Sequence, residues 1–250
     1  MADDLSPSAR EVHPTRFRIA YIILAVVVGA AVGTFIVLVG RGHNEQRSNW
    51  SEWQPDGSAT QKTAQIANYV GHQYRLPSGR QLVLVIPGAP EIQNLPVEHV
   101  ALVEGNNPSD FSLESANNSV MYQLCGLGQR CAIEEGTPSF ARGTLLHREA
   151  LELALYTFKY GDAESVVTLL PGRAGTSPSF ALYLRKDDFE HALDRPLSRT
   201  LRPTADIQPG QLTRSENSVI QNIDLRHLYR YAFQQAPDGS AILVLSTPAP

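Results

Sequence analysis

The pattern of apolar and polar positions divides the chain into one apolar block near its start and a longer, mixed part after it. Ile19 to Val39 contains no charged residue, and arginines flank it on both sides. A helix of about 20 apolar residues crosses the roughly 30 Å hydrocarbon core of a bilayer and satisfies its own backbone hydrogen bonds. The block therefore predicts a transmembrane helix, which we assign to residues 19–40.

The charges beside this block predict its orientation. The segment before it carries Arg10, Arg16 and Arg18, whereas Arg41 and Arg47 follow it. Positive charge is retained on the cytoplasmic side, so this slight excess places the N-terminus in the cytoplasm. A cleavable signal peptide is the alternative, but its apolar core has only about 7–15 residues and ends in a small-residue cleavage site. An uncleaved, single-pass anchor in the cell membrane fits the sequence better.

Composition sets the remaining boundaries. Residues 1–18 are polar, charged and proline-containing, which predicts a disordered cytoplasmic head. Residues 41–57 form a polar juxtamembrane connector, and residues 58–250 are long enough for one extracytoplasmic domain with a hydrophobic core. The formal net charge is -4 and no Lys/Arg block occurs, so the sequence argues against nucleic acid as a partner.

Two segments of the domain have the periodicity of amphipathic helices. From Ser58 to Tyr74 apolar residues recur three and four positions apart. A stronger helix begins at a Thr137–Pro138 cap and ends at Gly161. Its charged residues share about a third of the circumference, so its wide apolar face predicts a core helix lying against a sheet. These charged residues are Arg142, Arg148, Glu149, Glu152 and Lys159.

Short apolar runs predict strands around these helices. The run from Gln81 to Ile86 predicts a strand covered on both faces. Further strands are predicted at residues 99–103, 119–124, 164–170 and 180–184. Thr200 to Asn217 is predicted as a polar loop.

The chain ends in a predicted hairpin. Apolar residues alternate from Ile223 to Phe233, and Ala241 to Leu245 returns as an internal strand. The predicted fold class is therefore α+β: one transmembrane helix, then a mixed or antiparallel sheet packed with two main helices.

The cysteines add one covalent constraint. Cys125 and Cys131 are the only two, and they enclose a loop that contains Gly126 and Gly128. Thiols oxidise outside the cytoplasm, so we predict a local disulfide. A metal site lacks further ligands at a recognised spacing, and a redox site is more usually C-x-x-C. We predict no metal and no cofactor.

No catalytic motif of the metalloprotease, serine hydrolase, P-loop or dinucleotide-binding type is present. If the domain has a cleft, the polar side chains to inspect first are His147, Arg148 and Glu149, in the middle of the stronger helix. His147 projects onto the apolar face of that helix. The sequence therefore favours a hydrogen-bonded core histidine over a buried general base.

Three functional hypotheses follow. The anchor and the motif-free domain favour a non-enzymatic accessory or interaction protein of the cell envelope, with the lipid bilayer and other envelope proteins as partners. The alternative is an envelope enzyme or small-ligand-binding domain whose site is assembled from distant residues. The third is a dimerising transmembrane signalling protein, because Ala25, Gly29 and Gly33 share one helix face at the spacing of closely packed spans. An exposed apolar patch would favour the first hypothesis, and a deep pocket with convergent His, Glu or Arg the second.

Overall fold

A computed structural model describes residues 50–248, except 93–94, 104–109, 174–175, 177–178, 204 and 237. The predicted cytoplasmic head, the predicted transmembrane helix with Ala25, Gly29 and Gly33, and residues 41–49 of the connector lie outside the described residues. Within the described part of the chain, no helix is both long and apolar enough to cross a membrane. The described residues from Trp50 onward form a compact unit.

The unit is an α+β fold, as predicted. Its described residues form the α-helices α1 (Ala59–Gly71), α2 (Phe140–Tyr160), α3 (Glu190–Leu193) and α4 (Arg214–His227). The described strands are β1 (Leu84–Gly88), β2 (Glu91–Ile92), β3 (Leu95–Val103), β4 (Phe111–Ser115), β5 (Ser119–Cys125), β6 (Ser165–Leu169), β7 (Phe180–Arg185), β8 (Leu228–Gln235) and β9 (Ala241–Ser246). Short 3-10 helices occupy Gln129–Cys131, Lys186–Phe189 and Leu197–Arg199.

The strands form one mixed sheet, which confirms that part of the predicted fold class. Their order is β1-β5-β6-β7-β8-β9-β3, and both β4 and the two-residue β2 pair with β3. The pairs β5–β6 and β3–β9 are parallel, and the other pairs are antiparallel. Because β9 lies between β8 and β3, the prediction of an internal last strand is confirmed.

The central strands β6 and β7 are buried on both faces. The helices cover one face, where Leu151 and Leu155 of α2 share a core with Leu182 of β7. On the other face, side chains of β6 and β7 share a core with those of β3 and β9. The sheet therefore coils over itself. Consistent with this, the Tyr183 hydroxyl on β7 donates to Glu114 on β4, four strands further along the sheet.

Helix α2 begins two residues later than predicted. Ser139, not Thr137, is the N-cap, because its hydroxyl accepts a hydrogen bond from the backbone N–H of Arg142. The helix ends at Gly161, as predicted. The charged third of its circumference is covered as well as its apolar face: Arg148, Glu149 and Glu152 are all buried, as are most other positions of the helix.

The predicted loop over residues 200–217 and the predicted strand from Ile223 are wrong in part, because α4 occupies Arg214–His227. Thr213 and Glu216 form a capping box at its start, which fixes the helix. Ile220 and Ile223, three positions apart, are buried, whereas Leu225 is 85% exposed. The segment from Ile223 therefore follows the helical period and not the two-residue alternation of a strand. Strand β8 begins only at Leu228. Over its described residues the unit has three long helices, whereas two were predicted.

The run near residue 84 is also different from its prediction. Strand β1 lies at the edge of the sheet and pairs with β5. Its Leu84 and Ile86 are 52% and 42% exposed, so the strand is not covered on both faces. The prediction at residues 99–103 found the end of the longer β3, and β4 was not predicted. The other central strands lie where they were predicted.

The predicted disulfide is confirmed, because Cys125 and Cys131 are bonded. A Cβ at Gly126 would lie 2.2 Å from the carbonyl oxygen of Ala132, so this closed loop requires glycine there. The two tryptophans belong to the compact unit. Trp50 is buried edge-on against Tyr156, and Trp53 stacks on a tyrosine of α1.

Candidate ligand-binding clefts

A cleft of about 710 Å³ brings together charged side chains from distant parts of the chain. The ends of β3 and β7, the start of β8, strand β4 and helices α3 and α4 contribute to it. Its acidic and basic side chains are Glu114, Asp188, Arg185, Arg195, Arg226, His191 and His227, and Thr200 adds a hydroxyl group. We call it the basic cleft. A volume of this size is in the range of pockets that hold small molecules.

One side of the basic cleft neutralises its own charges. The guanidinium of Arg185 lies 3.4 Å from a carboxylate oxygen of Glu114 and 3.4 Å from one of Asp188. Glu114 also accepts a hydrogen bond from the hydroxyl of Tyr183. Burial, together with that carboxylate, raises the pKa of Tyr183, so the phenol stays protonated as a donor. This side is a self-contained cluster of paired groups.

The other side has donors without acceptors. Arg195 and Arg226 form no ion pair with any described residue. The Nε of Arg195 and the hydroxyl oxygen of Thr200 are shielded from bulk solvent and have no hydrogen-bond partner among the described residues. An unpaired buried polar group costs about 1–3 kcal/mol, and more when it is charged. An anionic acceptor between these side chains would remove that cost.

An apolar wall and a histidine border the donors. The ring of His227 lies 6.0 Å from the ring of Phe189, centroid to centroid, and Val219 and Ile223 continue the wall. Burial lowers the pKa of His227, although Asp188 and a hydrogen bond to the backbone of Tyr183 oppose the change. The imidazole is therefore mainly neutral near pH 7, and the permanent positive charge of the cleft comes from its arginines.

A second cleft, also of about 710 Å³, lies beside the N-terminal half of α2. We call it the apolar cleft, because most of its wall is hydrophobic. The apolar wall consists of Ile133, Pro138, Phe140, Leu146, Leu170, Pro171, Phe180 and Leu228. The charged side chains on its lining are Glu134, Arg142 and Arg173, and His147 also borders it.

The three side chains selected from the sequence go to three different environments. His147 borders the apolar cleft, and its Nδ1 lies 2.6 Å from a carboxylate oxygen of Asp224 on α4. Arg148 is 1% exposed within a buried network, and Glu149 is fully buried with no hydrogen-bond partner for either carboxylate oxygen among the described residues. Consecutive residues of a helix point about 100° apart, so they diverge. None of the three borders the basic cleft.

The network around Arg148 joins α2 and α4 to the chain that follows α1. Its guanidinium lies 3.0 Å from a carboxylate oxygen of Glu152 and 3.1 Å from one of Glu216, and it also donates to Tyr74. Burial raises the pKa of Glu216, but hydrogen bonds from Thr213, together with a nearby backbone N–H and Arg148, hold it below its usual value. The network is paired and closed to solvent, which is the arrangement of a structural element.

The basic cleft could not be found by motif searching. Arg195, Thr200, Arg226 and His227 lie in segments that have no recognised spacing, and only the tertiary fold brings these segments to one cleft. The sequence contains one local indication of this cleft, the Thr213–Glu216 capping box. The capping box predicts the start of α4 and therefore a helix that carries Arg226 and His227.

Within the described residues, no group of three or more His, Cys, Asp or Glu side chains is placed to hold a metal ion. No protein-family model, no curated protein and no solved structure matches the chain. The function must therefore be argued from the clefts themselves.

Proposed function

We propose that the compact unit is a binding domain for a small anionic molecule, which it holds in the basic cleft. This is the small-ligand form of the second sequence-based hypothesis. We now prefer small-ligand binding to the role of an accessory protein. The reason is that histidine, glutamate and arginine side chains converge in the cleft, as expected for a ligand-binding domain. With the predicted anchor, we infer that the unit acts at the outer side of the cell membrane.

The observation that carries the proposal is the pair of unpartnered donors. Arg195 and Thr200 flank the 3-10 helix Leu197–Arg199, so one short segment presents both groups to the same cleft. A carboxylate or phosphate oxygen accepts from guanidinium and hydroxyl groups together, and charge-assisted hydrogen bonds of this kind are about twice as strong as neutral ones. Arg226 adds a second unpaired positive charge. The Phe189 side of the cleft would contact an apolar part of the ligand.

The test measures thermal unfolding of the full chain in lipid nanodiscs, with citrate and inorganic phosphate as probes. A ligand that binds only the folded state at about 100 times its Kd stabilises the protein by about 2.7 kcal/mol. We expect at least one probe to raise the unfolding temperature in the wild type, and Arg195→Gln to abolish the increase. Arg214→Gln is the matched control, because Arg214 is an exposed arginine that lines neither cleft.

Thr200→Val separates the binding role from a structural one. Valine has the shape of threonine but lacks the unpartnered hydroxyl, so we expect the ligand-free protein to gain about 1 kcal/mol of stability. The same change should weaken anion binding about tenfold, because it removes a donor to a charged group. Loss of stability with unchanged binding would show that Thr200 is structural and would contradict the proposal.

A further inference from the structure

The apolar cleft has an opening in its wall that the backbone does not require. Gly143 lies inside the 21-residue helix α2, with no positive φ to demand glycine. Glycine within a helix is less favourable than alanine, because its backbone loses more conformational freedom on folding. A Cβ built at Gly143 would meet no atom within 4 Å, and the residue lines the cleft. The missing side chain therefore keeps space open beside Leu146.

The same cleft holds two arginines that lack acidic partners. Arg142 and Arg173 form no ion pair with any described residue. Arg142 is 7% exposed, and its guanidinium donates one hydrogen bond, of 2.9 Å, to the carbonyl oxygen of Glu135. Its other N–H groups have no described acceptor. Glu134 is the one acidic side chain on the described lining, so the cleft carries a net positive charge.

His147 adds a polar group to the lining of the cleft. Its Nδ1 is shielded from solvent and lies 2.6 Å from a carboxylate oxygen of Asp224, but neither atom has a hydrogen-bond partner among the described residues. At the rim, the ring of Phe140 is 75% exposed. The cleft thus has an apolar wall, an exposed aromatic rim and positively charged side chains.

We propose that the apolar cleft is a second binding site, for an amphiphilic molecule that has one anionic head and an aromatic or aliphatic body. The body packs on Leu146 and Phe180 in the space left by Gly143. The head pairs with Arg142 and Arg173. This site is independent of the basic cleft, whose donors would favour a more polar anion.

The experiment uses saturation-transfer NMR with 2-naphthoate and the full chain in nanodiscs, with empty nanodiscs as the blank. The key variants are Gly143→Leu, which fills the space, and Gly143→Ala as the matched control. Both remove glycine from a helix interior, so both should be at least as stable as the wild type. We expect Gly143→Leu to weaken 2-naphthoate binding at least tenfold and Gly143→Ala to change it by no more than about fourfold, which corresponds to the roughly 0.8 kcal/mol of one methyl group.

The head group is tested with charge variants. Arg173→Gln should weaken 2-naphthoate binding about threefold to tenfold, because it removes an exposed charge-assisted contact. The neutral analogue 2-naphthalenemethanol should bind at least fivefold more weakly than 2-naphthoate. Binding that survives Gly143→Leu, or equal binding of the neutral and anionic probes, would overturn this proposal. Arg195→Gln should not affect 2-naphthoate, so failure here is distinguishable from failure of the basic cleft.

Discussion

Replacing Glu149 with glutamine should change how the stability of the protein depends on pH. The carboxylate is fully buried, and neither oxygen has a hydrogen-bond partner among the described residues. Burial raises the pKa of Glu149 well above its usual value; Glu152 raises it further, and Arg148 only partly opposes the change. The side chain is therefore protonated in the folded state over a pH range in which it ionises in the unfolded state.

The direction and size of the pH effect on stability follow from the linkage between proton binding and folding. Below the unfolded pKa of about 4.3, both states bind the proton and Glu149 contributes no pH dependence. As the pH rises toward the folded pKa, only the unfolded state releases the proton. The free energy of unfolding then falls by about 1.4 kcal/mol for each pH unit. Glutamine is neutral in both states, so Glu149→Gln removes this loss.

The assay is urea unfolding of the full chain at pH 5, 6 and 7, followed by tryptophan fluorescence. The chain has two tryptophans, Trp50 and Trp53, and both pack in the compact unit, so the signal reports on that unit. We expect the advantage of Glu149→Gln over the wild type to grow with pH. Glu134→Gln, at an exposed position, is the control. Parallel pH profiles for Glu149→Gln and the wild type would refute a buried neutral carboxyl.

Three further changes test the fold. Arg148→Met leaves two buried carboxylates without their cation and should lower the free energy of unfolding by about 3–5 kcal/mol in urea titrations; a loss below about 1 kcal/mol would contradict a closed network. Cys131→Ser opens the disulfide loop and should cost about 2 kcal/mol in thermal unfolding, with the variant insensitive to a reductant that destabilises the wild type. Deleting the chain from Ala241 removes a strand hydrogen-bonded on both sides, so circular dichroism should show no cooperative unfolding.

The sequence predicted those elements whose local pattern agrees with their final environment. Strands β5, β6 and β7 are short, mainly apolar runs within the sheet, and they were predicted close to their true ends. Strand β1 is also a short apolar run, but it lies at the sheet edge. The composition of a run such as Leu82 to Ile86 does not determine whether the strand has a neighbouring strand on one side or on both. Its burial could therefore not be inferred from composition.

The site was less predictable than the fold for a related reason. The candidates His147, Arg148 and Glu149 were chosen because charged residues stand within an apolar pattern in the middle of α2. Arg148 lies in a closed, buried network, and none of the three borders the basic cleft. Arg195, Arg226 and Thr200 are ordinary surface residue types, and their lack of partners depends on packing between segments far apart in sequence. Whether a donor has an acceptor depends on the tertiary structure, so the sequence alone does not reveal an unpaired donor.

The Nε–H of Arg195 offers the most direct test of anion binding in the basic cleft. In ¹H–¹⁵N NMR spectra of the full chain labelled with ¹⁵N-arginine, this resonance is assigned by its disappearance in Arg195→Lys. On titration with citrate or phosphate, we expect it to shift with saturation and to be the most strongly affected arginine signal. Saturable shifts confined to other arginines, or an unchanged Arg195 signal at saturating anion, would contradict the proposed function.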